Sequence, residues 1–265
     1  HNNTAVGASC LNNADAGDNN VAVGYSSLVN YTGSNAVAVG VGALDACTTG
    51  GFNTAVGKDA LGTTDDGERN TAVGYQALNA NCGTNNTGIG FEALESCTGD
   101  FNVAVGSASG DAITSGVQNT AVGHGSLGGT DTGHYNVAIG TSALQADCVD
   151  NNVAVGVAAL YNFTGSSATA VGYQALDACT TGAENVAVGS GALGAVIDGH
   201  YNTAVGTSAL AADCGSSNVA VGREALNVFT GDNATVIGVA AADAATTAGG
   251  LVAIGKSALS AVVDG

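Results

Sequence analysis

The tripeptide Ala-Val-Gly, or a close variant of it, recurs along the whole chain at sixteen positions spaced 16 or 17 residues apart. From Gly24 onward the spacings repeat in the order 16, 17, 17 and 16, so four repeats form a block of 66 residues. A repeat this short is too small for a pair of helices or for a strand–helix–strand crossover, and it fits one coil of a β-solenoid. Because a single coil cannot bury its own apolar edge, the core must form by stacking of coils.

Aligning the repeats on this glycine gives four columns, which we name after their commonest residue. The valine column, directly before the glycine, holds Val or Ile in all sixteen repeats. The alanine column comes one residue earlier and holds Ala in fourteen repeats, with Gly88 and Val236 as the exceptions. The leucine column, four residues after the glycine, holds Leu in fourteen repeats, with Gly110 and Ala242 as the exceptions. The asparagine column, four residues before the glycine, holds Asn in twelve.

We predict that the valine and leucine columns form the core. The asparagine side chains are predicted to stack at a corner and to pair with backbone groups of the bend. Since side chains alternate across a strand, a buried valine column predicts that the alanine column and the glycine face outward. A face of small residues allows another backbone to approach closely, which predicts packing against sister chains; the alternative is a coil too tight for larger side chains.

The fold prediction is therefore an all-β, parallel β-solenoid of about sixteen coils, with 1–265 as a single repeat domain without caps. Joining Gly265 to His1 continues the repeat without a break and places His1 at the position of His200. This continuity predicts that the chain is a section of a longer fibre or a subunit that stacks end to end.

The net charge is −18, and the only lysine and arginine residues are Lys58, Arg69, Arg223 and Lys256. Nucleic-acid binding requires a basic surface that neutralises phosphates, so this class of function is excluded. Binding to an anionic membrane surface is disfavoured for the same reason. No run of 18 apolar residues is present, so the sequence predicts no membrane insertion.

The segment Asp198-Gly199-His200-Tyr201 is the most tempting candidate for catalytic chemistry. A similar loop recurs one block earlier at His134, and the block before that replaces the histidine with Glu68. No serine or cysteine nucleophile recurs beside these histidines, so we predict a turn and no catalytic, metal or cofactor site. Acidic loops such as Asp65-Asp66 fit solvated turns, with calcium binding as the alternative. The chain is predicted not to be an enzyme.

Two further sets of residues are candidates for bonding or binding. The seven cysteines occupy apolar positions of the repeat, and Cys82 and Cys97 fall on adjacent coils, where they are a candidate disulfide pair; bridges between chains are the alternative. The position just after the repeat glycine is the most variable one and carries exposed aromatic residues that are a candidate surface for a host glycan or protein receptor. These residues are Tyr25, Tyr75, Phe91 and Tyr173.

The repeat "NTAVGYQAL" at 70–78 resembles the repeats of trimeric autotransporter adhesin heads, the YadA-head type of β-roll, and similar repeats of phage tail fibres and other surface fibres. The resemblance covers essentially the whole chain. It implies a left-handed parallel β-roll, a trimer of chains around one axis, and a role in attachment or as a fibre. The coils here are longer than those of the bacterial heads, and the sequence shows no neck, coiled-coil stalk or membrane anchor.

The expected function is a non-enzymatic structural segment of a fibre or adhesin, located outside the cell, on the cell surface or on a virion. One alternative is the subunit of an end-to-end extracellular filament. Another is an ice- or surface-binding β-solenoid, which would need a flat array of threonines. The position three residues before the repeat glycine mixes Thr54 and Thr71 with Val21 and Val37, so such an array is incomplete.

Overall fold

The structure is a computed structural model that describes residues 2–13, 15–247 and 249–261. The predicted continuity between Gly265 and His1 lies outside these residues. The described chain is all-β, with no helix, and it forms two units, the first ending at Tyr135 and the second beginning at Asn136. Each unit is a parallel β-solenoid, which confirms the fold prediction. Each coil contributes one strand of three residues.

The strands of the first unit are β1 (Thr4–Val6), β2 (Val21–Val23), β3 (Val37–Val39), β4 (Thr54–Val56), β5 (Thr71–Val73), β6 (Thr87–Ile89), β7 (Val103–Val105) and β8 (Thr120–Val122). Those of the second unit are β9 (Val137–Ile139), β10 (Val153–Val155), β11 (Thr169–Val171), β12 (Val186–Val188), β13 (Thr203–Val205), β14 (Val219–Val221), β15 (Thr235–Ile237) and β16 (Val252–Ile254). Within each unit the strands pair in chain order.

The repeat sets the register of the sheet, because each residue pairs with its equivalent on the next coil. Ala55 pairs with Ala72 and Val56 with Val73, and the same parallel register holds for the other strand pairs within the units. The ladder extends beyond the strand, since the amide of Gly57 donates to the carbonyl of Val39 at 2.8 Å. Identical residues therefore form continuous columns along each unit.

The predicted direction of the alternation is wrong: the alanine column is buried and the valine column is exposed. Ala55 is 0% exposed, whereas Val56 is 37% exposed. The leucine column is buried as predicted. The reason is the narrow interior of the coil, in which the leucine takes most of the space. At Gly88, an exception in the alanine column, an added Cβ would lie only 3.1 Å from Cγ of Leu78. Opposite a leucine, the interior therefore accepts little more than a methyl group.

The coil of Gly238 departs from the repeat in both the alanine column and the leucine column, and the two departures compensate in volume. Val236 stands in the alanine column of this coil and Ala242 in its leucine column, and both are fully buried. The larger side chain has moved from one side of the core to the other, so the filled volume is nearly conserved. This pairing was the signal in the sequence that the alanine column faces inward.

The asparagine column forms the predicted hydrogen-bonded ladder at the corner before the strand. The amide of Asn70 donates to Oδ1 of Asn53 at 2.8 Å, and the amide of Asn86 donates to Oδ1 of Asn70 at 2.8 Å. The side-chain Nδ2 of Asn70 donates to the carbonyl of Gly83 at 2.7 Å. Each buried asparagine thus pairs backbone groups that water cannot reach, which confirms the prediction for this column.

Candidate functional site

The outer side of the strands forms a regular surface on each unit. We define the strand face as the first and third residues of every strand, which are Thr or Val and Val or Ile, respectively. These side chains point away from the core because the middle residue of each strand points into it. The strand face carries no charged residue, although the chain as a whole has a net charge of −18. It is therefore an uncharged, β-branched surface on an acidic protein.

The strand face is large enough to be a functional surface. Strands lie about 4.8 Å apart and rise about 3.3 Å per residue, so eight strands of three residues present roughly 350 Å². The largest apolar patch on a soluble monomer is of this order and is often an interaction site. In each unit the patch is continuous from strand to strand, because every coil repeats the same pattern.

The four aromatic residues predicted to form an exposed column are all exposed, but they do not form one group. Tyr75 and Phe91 stack on neighbouring coils, with ring centroids 5.3 Å apart and an angle of 16° between the rings. Nζ of Lys58 lies 5.2 Å from the centre of the Tyr75 ring, so a cation–π contact extends the stack. Tyr25 lies on an earlier coil of the first unit, and Tyr173 lies in the second unit. A receptor for these residues stays a prediction.

A second set of exposed aromatic residues was missed in the sequence. It occupies the position just before the asparagine column, and its members are Phe52, Phe101, Tyr135 and Tyr201. All four have a positive φ of about 60°, and the guanidinium of Arg69 lies 5.9 Å from the Phe52 ring. The buried asparagine that follows each of them was the available signal, because neighbours of an inward-facing residue point outward.

The histidine loops make a structural contact between coils. Nδ1 of His200 accepts a hydrogen bond from the amide of Ala183 at 3.0 Å, and Nδ1 of His134 accepts one from the amide of Val117 at 3.1 Å. In some other coils the same position holds Asp or Ser, and Oδ1 of Asp100 accepts from the amide of Thr84 at 2.6 Å. In these three coils the side chain at this position is thus an acceptor that holds the preceding loop.

This contact predicts how His200 responds to substitution. His200→Ala removes the acceptor for the Ala183 amide and is expected to cost about 1 kcal/mol of unfolding free energy. His200→Asp retains an acceptor of the kind that Asp100 supplies, so we expect little loss. Amide hydrogen exchange at Ala183 measures the contact directly and should accelerate in His200→Ala alone. Equal acceleration in both variants would contradict the assignment.

The cysteines of the described chain are present as thiols and not as disulfides, and six of the seven are buried. Sγ of Cys82 lies 3.1 Å from Oγ1 of Thr64, and Nδ2 of Asn102 donates to Sγ of Cys97 at 3.4 Å. Burial raises the pKa of Cys82 to about 12 and that of Cys97 to about 11. The thiols of Cys82 and Cys97 therefore remain protonated and unreactive in the folded chain at neutral pH.

A shallow depression of about 240 Å³ lies on the surface of the first unit. Its lining residues are Asp45, Asp59, Gly62, Thr63, Gln76 and Asn79. Burial, and to a lesser extent the charge of Asp59, raises the pKa of Asp45. Asp59 is itself paired with Nζ of Lys58 at 2.6 Å. The two carboxylates are therefore held by local contacts on an open surface.

Among residues 2–13, 15–247 and 249–261, no group of three or more His, Cys, Asp or Glu side chains has the arrangement of a metal site. The same residues include no helix with the length and apolar character needed to cross a membrane. Comparison of the chain with known protein families, curated proteins and solved structures finds no match. The likeness to adhesin and tail-fibre repeats therefore stays a prediction from the repeat itself.

Proposed function

We propose that this chain is a non-enzymatic structural segment of an extracellular or virion fibre, and that copies of it associate through the strand face. The observation that carries the proposal is the continuous array of outward-facing Thr, Val and Ile side chains on each unit, which are exposed or half-buried. A fibre of this kind, displayed at a surface, would serve attachment, as the repeat resemblance implies. Trimeric association is the arrangement that the same resemblance favours.

Charge favours the strand face as the contact between copies. Two copies that each carry −18 repel one another through their acidic surfaces. The strand face has no charge to desolvate, and its β-branched side chains can interdigitate with those of a facing sheet about 10 Å away. Burying these side chains removes apolar surface from water, which favours association.

The area is consistent with a stable contact between copies. The strand face of each unit offers roughly 350 Å², and a specific protein interface buries about 800 Å² on each partner. The exposed residues on both sides of the strands, such as Tyr75 and Phe101, add to the surface that a partner can cover. A second copy of this chain can cover such a surface without any additional segment.

The interior of each unit is that of a scaffold. In the described residues every buried side-chain nitrogen or oxygen has a hydrogen-bond partner. Buried polar groups that are fully paired within the core stabilise one arrangement of the chain. These groups hold the coils together and face away from solvent, so they support a structural role and not a reaction with a substrate.

Native mass spectrometry of the full chain tests the proposal, with a trimer as the expected species. The variant Val105→Glu/Val188→Glu places one carboxylate on the strand face of each unit and should shift the protein to monomer. The control Ser115→Glu/Thr181→Glu adds the same charge at exposed positions away from the strands and should leave the oligomer intact. Circular dichroism establishes that each variant is folded. A monomeric parent chain would overturn the proposal.

An ice- or surface-binding role is the second candidate, because the structure turns the threonines of the strands outward. Thr54, Thr71 and Thr87 follow one another on three successive strands of the strand face. The strands on either side of this run carry Val37 and Val103 at the same position, so the array is short. A monomeric chain with thermal hysteresis activity would favour this role over self-association.

A further inference from the structure

Most coils place one buried side chain beside the asparagine column, as the hydrogen bond from Nδ2 of Asn102 to Sγ of Cys97 shows, and these residues form a corner column. In the first unit its described successive members are Tyr31, Cys47, Thr64, Cys82, Cys97, Ile113 and Thr130, all buried. In the second unit the three cysteines alternate with larger side chains, since Phe163 and Val196 lie between them in coil order. Cys82 and Cys97 are the one pair of cysteines on successive coils of this column.

We propose that Cys82 and Cys97 form a disulfide that joins two neighbouring coils when the chain folds in the presence of a disulfide oxidant. The structure described above is the reduced form of this site. The inference goes beyond the proposed function and does not depend on it, although an extracellular protein would meet such an oxidant. The other cysteines are expected to remain thiols.

The stacking of the coils brings these two cysteines within bonding range. Neighbouring strands of a sheet lie about 4.8 Å apart, and the Cα atoms of a disulfide are usually about 4.4–6.8 Å apart. The loops that carry the two cysteines are in close contact, because a Cβ added to Gly83 would lie 2.9 Å from the carbonyl oxygen of Gly99. The coil spacing and the loop contact are therefore compatible with a bridge.

Thr64, the other neighbour of Cys82 in the corner column, shows why Cys82 does not pair with Cys47. Sγ of Cys82 lies 3.1 Å from Oγ1 of Thr64, which separates it from Cys47. Cys47 and Cys82 are therefore two coils apart, about 9.6 Å, and Cα atoms more than about 7 Å apart cannot be bridged without backbone movement. The geometry selects Cys97.

The reaction is thiol–disulfide exchange with a small disulfide such as oxidised glutathione. The thiolate of one cysteine attacks the oxidant and forms a mixed disulfide, releasing one glutathione thiolate. The second cysteine, as its thiolate, attacks the protein sulfur of that mixed disulfide, and the second glutathione leaves as a thiolate. The protein loses two electrons and two protons, and one disulfide becomes two thiols. Because burial suppresses ionisation of both cysteines, we expect the exchange to occur during folding, before the coils close.

Intact-mass analysis of the full chain tests the assignment. The denatured chain is refolded with oxidised and reduced glutathione, then denatured again and alkylated with iodoacetamide. We expect five of the seven cysteines to be alkylated and a peptide map to show a link between Cys82 and Cys97. The bridged protein should melt about 6 °C higher than the same protein after reduction, because the bridge constrains the unfolded chain.

Three variants make the result specific. Cys82→Ser and Cys97→Ser should each leave all six remaining cysteines open to alkylation, whereas Cys47→Ser should keep the bridge. Alkylation of all seven cysteines in the refolded parent chain would overturn the proposal, as would a link between other cysteines or between chains. None of these substitutions alters the strand face, so the oligomeric state reports separately on the proposed function.

Discussion

Gly74→Ala is expected to destabilise the fold by about 4 kcal/mol, enough to prevent folding of the surrounding coils. Gly74 has a φ of 141°, which side chains rarely adopt, and an added Cβ would lie 2.2 Å from the carbonyl oxygen of Gly90. That oxygen belongs to the backbone of the next coil, so it cannot move without disturbing the ladder. Urea denaturation followed by circular dichroism measures the loss of unfolding free energy.

Gly51→Ala is the matched control for this effect. Gly51 lies outside the left-handed region, and the nearest atom to an added Cβ is the carbonyl oxygen of Ser34 at 3.4 Å. An alanine at this position should change the unfolding free energy by less than about 1 kcal/mol. An equal loss of unfolding free energy in both variants would show that glycine is not required at position 74 by the close approach of the next repeat glycine.

The period of the repeat was sufficient to predict the solenoid, the buried leucines and the asparagine ladder. It was not sufficient to choose which side of the strand faces inward, because Thr-Ala-Val has an apolar residue on both sides. Volume decided that choice: an added Cβ at Gly88 would already lie 3.1 Å from Cγ of Leu78, so a buried leucine leaves little space for the facing side chain. The association of chains predicted from an outward-facing alanine column now depends on the strand face instead.

The turns could not be predicted from residue preferences. Leu61 and Leu78 both adopt the left-handed region, with φ values of 52° and 51°, although an apolar residue with a side chain rarely does so. The cost is offset because this conformation lets the amide of Leu61 donate to the carbonyl of Ala77 on the next coil at 3.0 Å. Hydrogen bonds between coils therefore override the local preference, and a single coil gives no sign of them.

In the candidate sites, too, the repeat predicted some features, and others depend on the stacking of coils. The exposure of Tyr75 and Phe91 followed from their variable position in the repeat, whereas their stacking required the spacing between coils. Neither the repeat position nor the spacing between coils predicted that His200 is an acceptor, because this role depends on an amide 17 residues earlier in the chain. What the repeat predicts is which residues share a column; the contacts along a column come from the stacking.

Asn70→Ala is the second substitution with a large expected effect. It removes the acceptor for the amide of Asn86 and the donor to the carbonyl of Gly83, and Asn70 is fully buried. Water cannot replace these partners inside the corner, so two unpaired backbone groups should cost about 4 kcal/mol. The midpoint and slope of urea denaturation measure the loss, and hydrogen exchange should show the amide of Asn86 losing its protection.

Asn102→Ala makes the same chemical change in the next-but-one coil and should cost about 2 kcal/mol or less. The equivalent coil of the other blocks already carries alanine, at Ala36, Ala168 and Ala234. In the coil after Ala168 the asparagine serves two carbonyls: Nδ2 of Asn185 donates to Gly182 at 2.8 Å and to Gly199 at 2.7 Å. The same rearrangement should protect Asn102→Ala, whereas the Asn70 corner has no alanine counterpart in any block. Equal losses in the two variants would mean that the ladder tolerates a gap at every coil, and that its stability does not depend on continuous pairing of asparagines.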